Sequence, residues 1–256
     1  MRAMIESRSN ETLKAIRRLR RRQGEHALLE GPHLVTAALE AGLELETVLV
    51  TASFAESAAG RALLPRLPRA PRQVAERLLD ELADADAPRG LLALTRLPRL
   101  GVETVPVRSS GLYVYLDGVQ DPGNIGAVAR VAEAFAAAAL LLAPGCAHPN
   151  HPRALRASAG SLLRLAVAID VGVESLDRIF APRRPTWAAL AAHGGRGPDP
   201  AVERPIVLAL GAEGPGLSTA VLARADHLWT LQLSAPVESL NVAVTAGIVL
   251  HDLVAP

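Results

Sequence analysis

Residues 112–135 read LYVYLDGVQDPGNIGAVARVAEAF, and this stretch decides the fold. Residues 112–116 form an unbroken apolar run, the pattern of a strand buried on both faces of a parallel sheet. Asp121-Pro122-Gly123-Asn124 is a turn. Residues 125–135 have the apolar spacing of a helix. Asn124 can cap that helix, and Gly126 lets a ligand approach its first turn. The alternation continues downstream. Strands are expected at 138–142, 165–171, 205–210 and 227–233, and helices at 152–161 and 241–253. Residues 183–205 are rich in Pro and Gly and read as loop around a short segment at 187–192. The pattern predicts an open, parallel α/β sheet over 111–256, with ligands at the carboxyl ends of its strands.

Upstream, Asn10 opens a basic helix over 10–22 with Leu13, Ile16 and Leu19 on one face. A helix over 32–41 starts at Pro32 and stops at Gly42. Strands are expected at 46–51 and 89–95, and an amphipathic helix at 72–83. Residues 52–64 are ambiguous, and Pro65, Pro68 and Pro71 punctuate a loop. Residues 1–100 thus form a small α/β domain. Residues 101–110, in a stretch with two prolines and no helical period, form a linker.

The chain has 256 residues, 50% of them hydrophobic and only 3% aromatic, so its core must be mostly Leu, Val and Ala. Cys146 is the single cysteine, which excludes an intrachain disulfide and a cysteine-built zinc site. Of seven His, only His148 and His151 are close in sequence, and no third ligand follows at a recognisable spacing; no metal is expected. The opening MRAMIESRSN lacks the apolar run of a signal peptide, and the most apolar stretch, 134–144, is short of the ~20 residues that span a bilayer. A cytoplasmic protein is the expectation.

Lys14 is the one lysine among 27 basic residues. It lies in a charged N-terminal stretch, which excludes P-loop and Schiff-base chemistry. Residues 1–25 hold eight Lys/Arg and three Glu, a balance of +5 within a net charge of +1. Arg17, Arg18, Arg20, Arg21 and Arg22 form the densest basic patch. It is either a solvated helix face or a phosphate-contacting surface for nucleic acid.

Three strand-end loops can carry chemistry. The first holds Asn124 and, six positions on, Arg130. An arginine on a helix packed against a sheet needs an anion or a carboxylate, and Glu133 is the internal candidate. The second, LGAEGPGLS at 210–218, offers glycines and Glu213, without the spacing of a dinucleotide fingerprint. The third, VESLNVAVTAGI at 237–248, brings Ser239 and Asn241 to the start of the last helix, which either could cap.

Taken together, DGVQDPGNIGAVARVAEAF, HPRALRASAG, LGAEGPGLS and VESLNVAVTAGI resemble the SpoU (TrmH) family of RNA ribose 2′-O-methyltransferases, within the SPOUT superfamily. HALLEGPHLV and DAPRGLLAL are similar to the opening and closing segments of the substrate-binding domain that precedes many such catalytic domains, an α/β unit like a small ribosomal protein. The chain departs from the family at Ala136, where Gly is usual, and at Leu231-Gln232-Leu233, where Ile-Pro-Met is common. Ala235 also replaces a frequent Gly.

The resemblance implies a parallel-sheet catalytic domain with a deep trefoil knot. It implies S-adenosylmethionine held by the backbone of Gly211, Leu231 and Leu240, and a homodimer to which the apolar last helix could contribute. Arg130 corresponds to the family's catalytic arginine. It would either deprotonate or polarise the 2′-hydroxyl, or hold the adjacent phosphate. A free arginine is a poor base, with a pKa above ~12. Asn124 would orient Arg130 or bind the ribose. Glu213 would fix the arginine or the cofactor loop, and Ser239 and Asn241 would position the nucleotide. Ribosomal RNA of the 23S type ranks first as substrate and tRNA second. The competing class is a non-catalytic RNA-binding or ribosome-assembly factor on the same fold.

Overall fold

A computed structural model describes residues 4–21, 24–83, 89–181 and 184–254, with Arg20 and Arg21 as backbone only. The chain forms two compact units. The first comprises Met1–Pro98 with Asn150–Arg164, and the second Arg99–Pro149 with Leu165–Pro256.

The first unit opens with α1 (Glu11–Arg21), whose Leu13 and Ile16 are buried against Leu78, Leu79 and Leu82. Then follow β1 (His26–Glu30), α2 (Gly31–Glu40) and β2 (Leu45–Val50). The ambiguous stretch resolves into two short helices, α3 (Ala52–Glu56) and α4 (Ala58–Leu63), because Thr51 and Ser57 each cap a new start. Residues 72–83 were expected as one helix. Instead, Arg72–Gln73 is β3, a parallel edge strand beside β2, and α5 occupies only Glu76–Asp80. The β2 ladder captures residues whose side chains alone suit a helix, a tertiary override of local pattern. β4 (Leu91–Arg96) lies between β1 and β2, antiparallel to both.

The second unit begins where a linker was expected. Leu100 bridges to Ala168, residues 102–104 form a 3-10 turn, and Val105 is buried. β5 (Leu112–Asp117) and α6 (Pro122–Ala134) follow as the sequence predicts, then β6 (Ala139–Leu142). The chain next supplies α7 (Pro152–Ala157) to the first unit, although HPRALRASAG was read as part of the catalytic stretch. Polar anchors hold it there. Asn150 Nδ2 donates to Gly24 O and Leu97 O, both at 2.9 Å. Arg156 Nη1 donates at 2.8 Å to Glu30, whose side chain is only 6% exposed.

β7 (Val167–Ala168), α8 (Val173–Ile179) and β8 (Thr186–Leu190) return to the second unit. β8 falls on the short segment at 187–192 set apart within the Pro- and Gly-rich stretch, and proves to be a sheet strand. β9 (Ile206–Gly211), α9 (Thr219–Arg224), β10 (His227–Trp229) and α10 (Val242–Val254) complete the chain. The strand order is β10-β8-β9-β5-β6-β7, and every pairing is parallel. The order runs outward in both directions from the β5–β9 pair, the kind of switch point where α/β sheets bind ligands.

The scarce aromatics concentrate on one face of this sheet. Tyr113 meets Phe180 edge-on at 4.9 Å and Tyr115 meets Trp187 at 5.2 Å, within a core otherwise of Leu, Val and Ala. Below them, Arg224 donates through Nε and Nη2 to both Asp177 oxygens and through Nη1 to Asp226. Asp226 also accepts from the Trp187 backbone N–H at 2.9 Å and from Arg184 at 2.7 Å. Burial alone would raise the Asp226 carboxyl. The Trp187 N–H and Arg224 outweigh it and hold the group below the ordinary carboxylate range.

Candidate active site

The helix after β5 starts three residues before the sequence reading placed it. Asp121, not Asn124, is its N-cap: its carboxylate accepts from the N–H of Gly123 at 2.6 Å, with Pro122 at the first helical position. That releases the Asn124 side chain. Asn124 Nδ2 donates to Glu213 Oε1 at 2.7 Å, and Asn124 Oδ1 accepts from Asn241 Nδ2 at 2.9 Å. Asn241 Oδ1 in turn accepts from the N–H of Ala243, capping α10. The amide orientations follow from the bonding. Glu213 as a carboxylate can only accept, so Asn124 must turn its nitrogen there and its oxygen to Asn241. One chain of hydrogen bonds thus ties together the three loops after β5, β9 and β10.

The β9 loop has a second tie. Asp117 at the end of β5 accepts from the Ser218 N–H at 2.6 Å, and Ser218 caps α9. Gly211 leaves β9 against its own loop. A Cβ there would lie 2.3 Å from the carbonyl carbon of Gly216 and 2.5 Å from the nitrogen of Leu217, so no other residue fits without moving backbone.

The loops after β9 and β10 and the end of β8 enclose a cleft of about 550 Å³. Gly211, Glu213, Leu231, Glu238, Ser239 and Leu240 line it, with Leu190 and Val242 as apolar wall. Residues 231–233 and 238–240 are outside regular structure. Among the described residues their backbone N–H and C=O groups have no partner. The cleft therefore offers apolar walls with free peptide edges, which suits a flat heteroaromatic group with polar rims. His193 also lines it. Sequence reading missed this residue because it lies in the Pro- and Gly-rich stretch taken as loop, and a lone His carries no spacing signal.

Arg130 is exposed on α6 and, among the described residues, has no ion-pair or hydrogen-bond partner; the internal candidate, Glu133, does not hold it. Ser239 is exposed and likewise without a hydrogen bond. Of the N-terminal arginines, Arg17 is committed: it donates to Arg8 O at 2.8 Å and pairs with Glu81 at 3.4 Å. Arg18 is exposed. The side chains of Arg20 and Arg21, and all of Arg22, lie outside the described residues. Among the described residues no cluster of His, Cys, Asp and Glu could hold a metal ion.

Comparison with known proteins agrees with this geometry. Residues 111–251 match the SpoU rRNA methylase family, and residues 10–93 match the MRM3-like substrate binding domain. The chain is 31% identical to the 23S rRNA (uridine(2479)-2′-O)-methyltransferase of Streptomyces viridochromogenes, covering 95% of this chain and 87% of that protein. It is 26% identical to the 23S rRNA (guanosine(2553)-2′-O)-methyltransferase RlmP of Bacillus subtilis, covering 97% and 98%. Its structure superposes with a TM-score of 0.82 on the SpoU methyltransferase AviRb of Streptomyces viridochromogenes in complex with AdoMet, at 27% identity, covering 95% of this chain and 97% of that one.

Proposed function

Because this chain belongs to the SpoU rRNA methylase family, we propose that it transfers the methyl group of S-adenosylmethionine to a ribose 2′-hydroxyl of RNA, with 23S-type ribosomal RNA as the acceptor. The observation that carries the reading is the Asn241–Asn124–Glu213 hydrogen-bond chain at the mouth of the 550 Å³ cleft. It gathers the polar residues of three separate loops beside a cofactor-sized space.

The cleft residues fit S-adenosylmethionine. Leu190, Leu231 and Leu240 supply apolar surface for the adenine, the unpaired peptide groups of 231–233 and 238–240 suit its edge, and Gly211 lets the β9 loop fold tightly along the cleft wall. When bound, the cofactor supplies an electrophilic methyl on a sulfonium. The rest falls to the protein. Arg130, a guanidinium with five donors and no acceptor, binds the 2′-oxygen or the neighbouring phosphate and stabilises the developing alkoxide. Asn124, held between Glu213 and Asn241, fixes the loop from which α6 carries Arg130. Ser239 positions the nucleotide. The 2′-oxygen would take the methyl group that the bound cofactor supplies with loss of its carbon–sulfur bond, and would give up its own proton to solvent. Alignment of the reacting atoms removes several kcal/mol of barrier.

Residues 1–100, joined by 150–164, act as the RNA-binding domain and the rest of 111–256 as the catalytic one; Arg18, Arg20, Arg21 and Arg22 serve as phosphate contacts, while Arg17 is held by Arg8 O and Glu81. Val244 and Ile248 are exposed one turn apart on α10, 52% and 40% accessible, an apolar stripe that supports a homodimer. The family's trefoil knot belongs to the same reading. No helix among the described residues is long and apolar enough to cross a membrane; the enzyme acts in the cytoplasm, where its RNA is made.

The test is tritiated methyl transfer from S-adenosylmethionine to unmodified ribosomal RNA and tRNA in separate reactions, with Arg130→Ala as control. Label in ribosomal RNA at a position resistant to alkaline cleavage supports the proposal. RNA binding without transfer, repeated on ribosomal particles, points to the assembly-factor alternative.

A further inference from the structure

The cleft has an electrostatic gap that one residue fills. Its lining includes three ionisable side chains, Glu213, Glu238 and His193; the others are neutral. Glu213 is already engaged by Asn124 at 2.7 Å. A ligand carrying a carboxylate cannot place it beside Glu213 or Glu238 without like-charge repulsion. His193 is the one lining side chain that offers an N–H donor in either protonation state and a positive charge when protonated.

The loop bearing His193 is clamped at both ends onto β10. The Ala191 N–H donates to Trp229 O at 2.9 Å. Beyond the tip, the Gly195 N–H donates to Thr230 Oγ1 at 2.9 Å, the Arg196 N–H to Leu228 O at 3.1 Å, and the Thr230 N–H to Arg196 O at 2.8 Å. A Cβ on Gly195 would come within 2.6 Å of the Trp229 carbonyl carbon, so the loop runs too close to β10 for any larger residue. His193 and Gly194 are left as a short tip between the clamps. His193 is exposed and makes no hydrogen bond among the described residues. A side chain with no structural duty is held at a fixed place on the cleft wall.

Building on the proposed methyl transfer, we infer that His193 receives the carboxylate of the cofactor's amino-acid end and so sets the affinity for the whole cofactor over its truncated nucleoside. The residue is a positioning residue, distant in role from Arg130.

Isothermal titration of the full chain tests this with two ligands. S-adenosylhomocysteine carries the amino-acid carboxylate, and 5′-methylthioadenosine keeps the adenosine and sulfur without it. His193→Ala should weaken S-adenosylhomocysteine binding about tenfold or more, the scale of a lost charge-assisted hydrogen bond. It should leave 5′-methylthioadenosine within about twofold. Equal weakening of both ligands, or of neither, overturns the assignment while the methyltransferase reading stands. If the unmodified protein binds neither ligand, both readings fall.

Discussion

Asn241 Nδ2 donates to Asn124 Oδ1 at 2.9 Å, joining the start of the last helix to the first turn of a helix 117 residues earlier. Each amide is used at both ends, so neither can rotate without breaking two bonds. Asn124→Ala should therefore lower kcat by about two orders of magnitude, in the range of losing one preorganised polar contact. Asn124→Asp should be worse, because it sets a second carboxylate against Glu213. Single-turnover kinetics on ribosomal RNA checks the order, and an Asn124→Asp enzyme as fast as Asn124→Ala would contradict it.

Gly211→Ala forces a methyl into the backbone of Gly216 and Leu217. The loop must open, and the cleft with it. Affinity for S-adenosylhomocysteine should fall more than about tenfold with RNA binding unchanged, read by titration calorimetry and filter binding.

Arg156→Ala removes the 2.8 Å partner of a nearly buried Glu30 carboxylate. Unfolding in urea should show a loss of about 2–3 kcal/mol. Arg156→Ala with Glu30→Gln should recover part of it, since a neutral amide costs less to bury than a carboxylate.

Acid should act through Asp226. Its carboxyl lies below the ordinary carboxylate range in the folded chain. A depressed folded value means the contribution is present above the unfolded value and is lost as pH falls through the folded one. Asp226→Asn should lower Tm at pH 7, and the gap from the unmodified chain should narrow below about pH 4. A gap that stays constant from pH 7 to pH 3 would assign the effect to packing rather than charge.

The sequence makes the strand-end logic legible because β5 and β9 are continuous apolar runs that end in polar, glycine-bearing loops. Family resemblance adds the likeness to SpoU enzymes, which the comparisons bear out. Other features have weaker signals. TWAAL of β8 is short, rich in alanine and closely preceded by Pro182 and Pro185, so only its place between β9 and β10 makes it a strand. Asp121 and Asn124 are both good caps three residues apart. Pro122 could have decided between them, since proline favours the first helical position and leaves Asp121 as the cap. The spacing of Arg130 and Glu133 permits a pair that the fold does not form. The excursion of 150–164 is invisible to pattern reading, because no local property of HPRALRASAG records which sheet covers it.

That excursion bears on how the protein is made. Unit 1 is not finished when its first 98 residues leave the ribosome, for Asn150 and Arg156 arrive only after residues 99–149. The segment that joins unit 1 thus emerges after the first elements of unit 2, whereas in the usual order all of an N-terminal domain's residues precede its successor's. While Glu30 waits for Arg156, β5, α6 and β6 have already emerged. A chain cut short between residues 98 and 150 never receives Asn150 or Arg156, and its β1 and β4 side is left without the bonds they make to Gly24, Leu97 and Glu30.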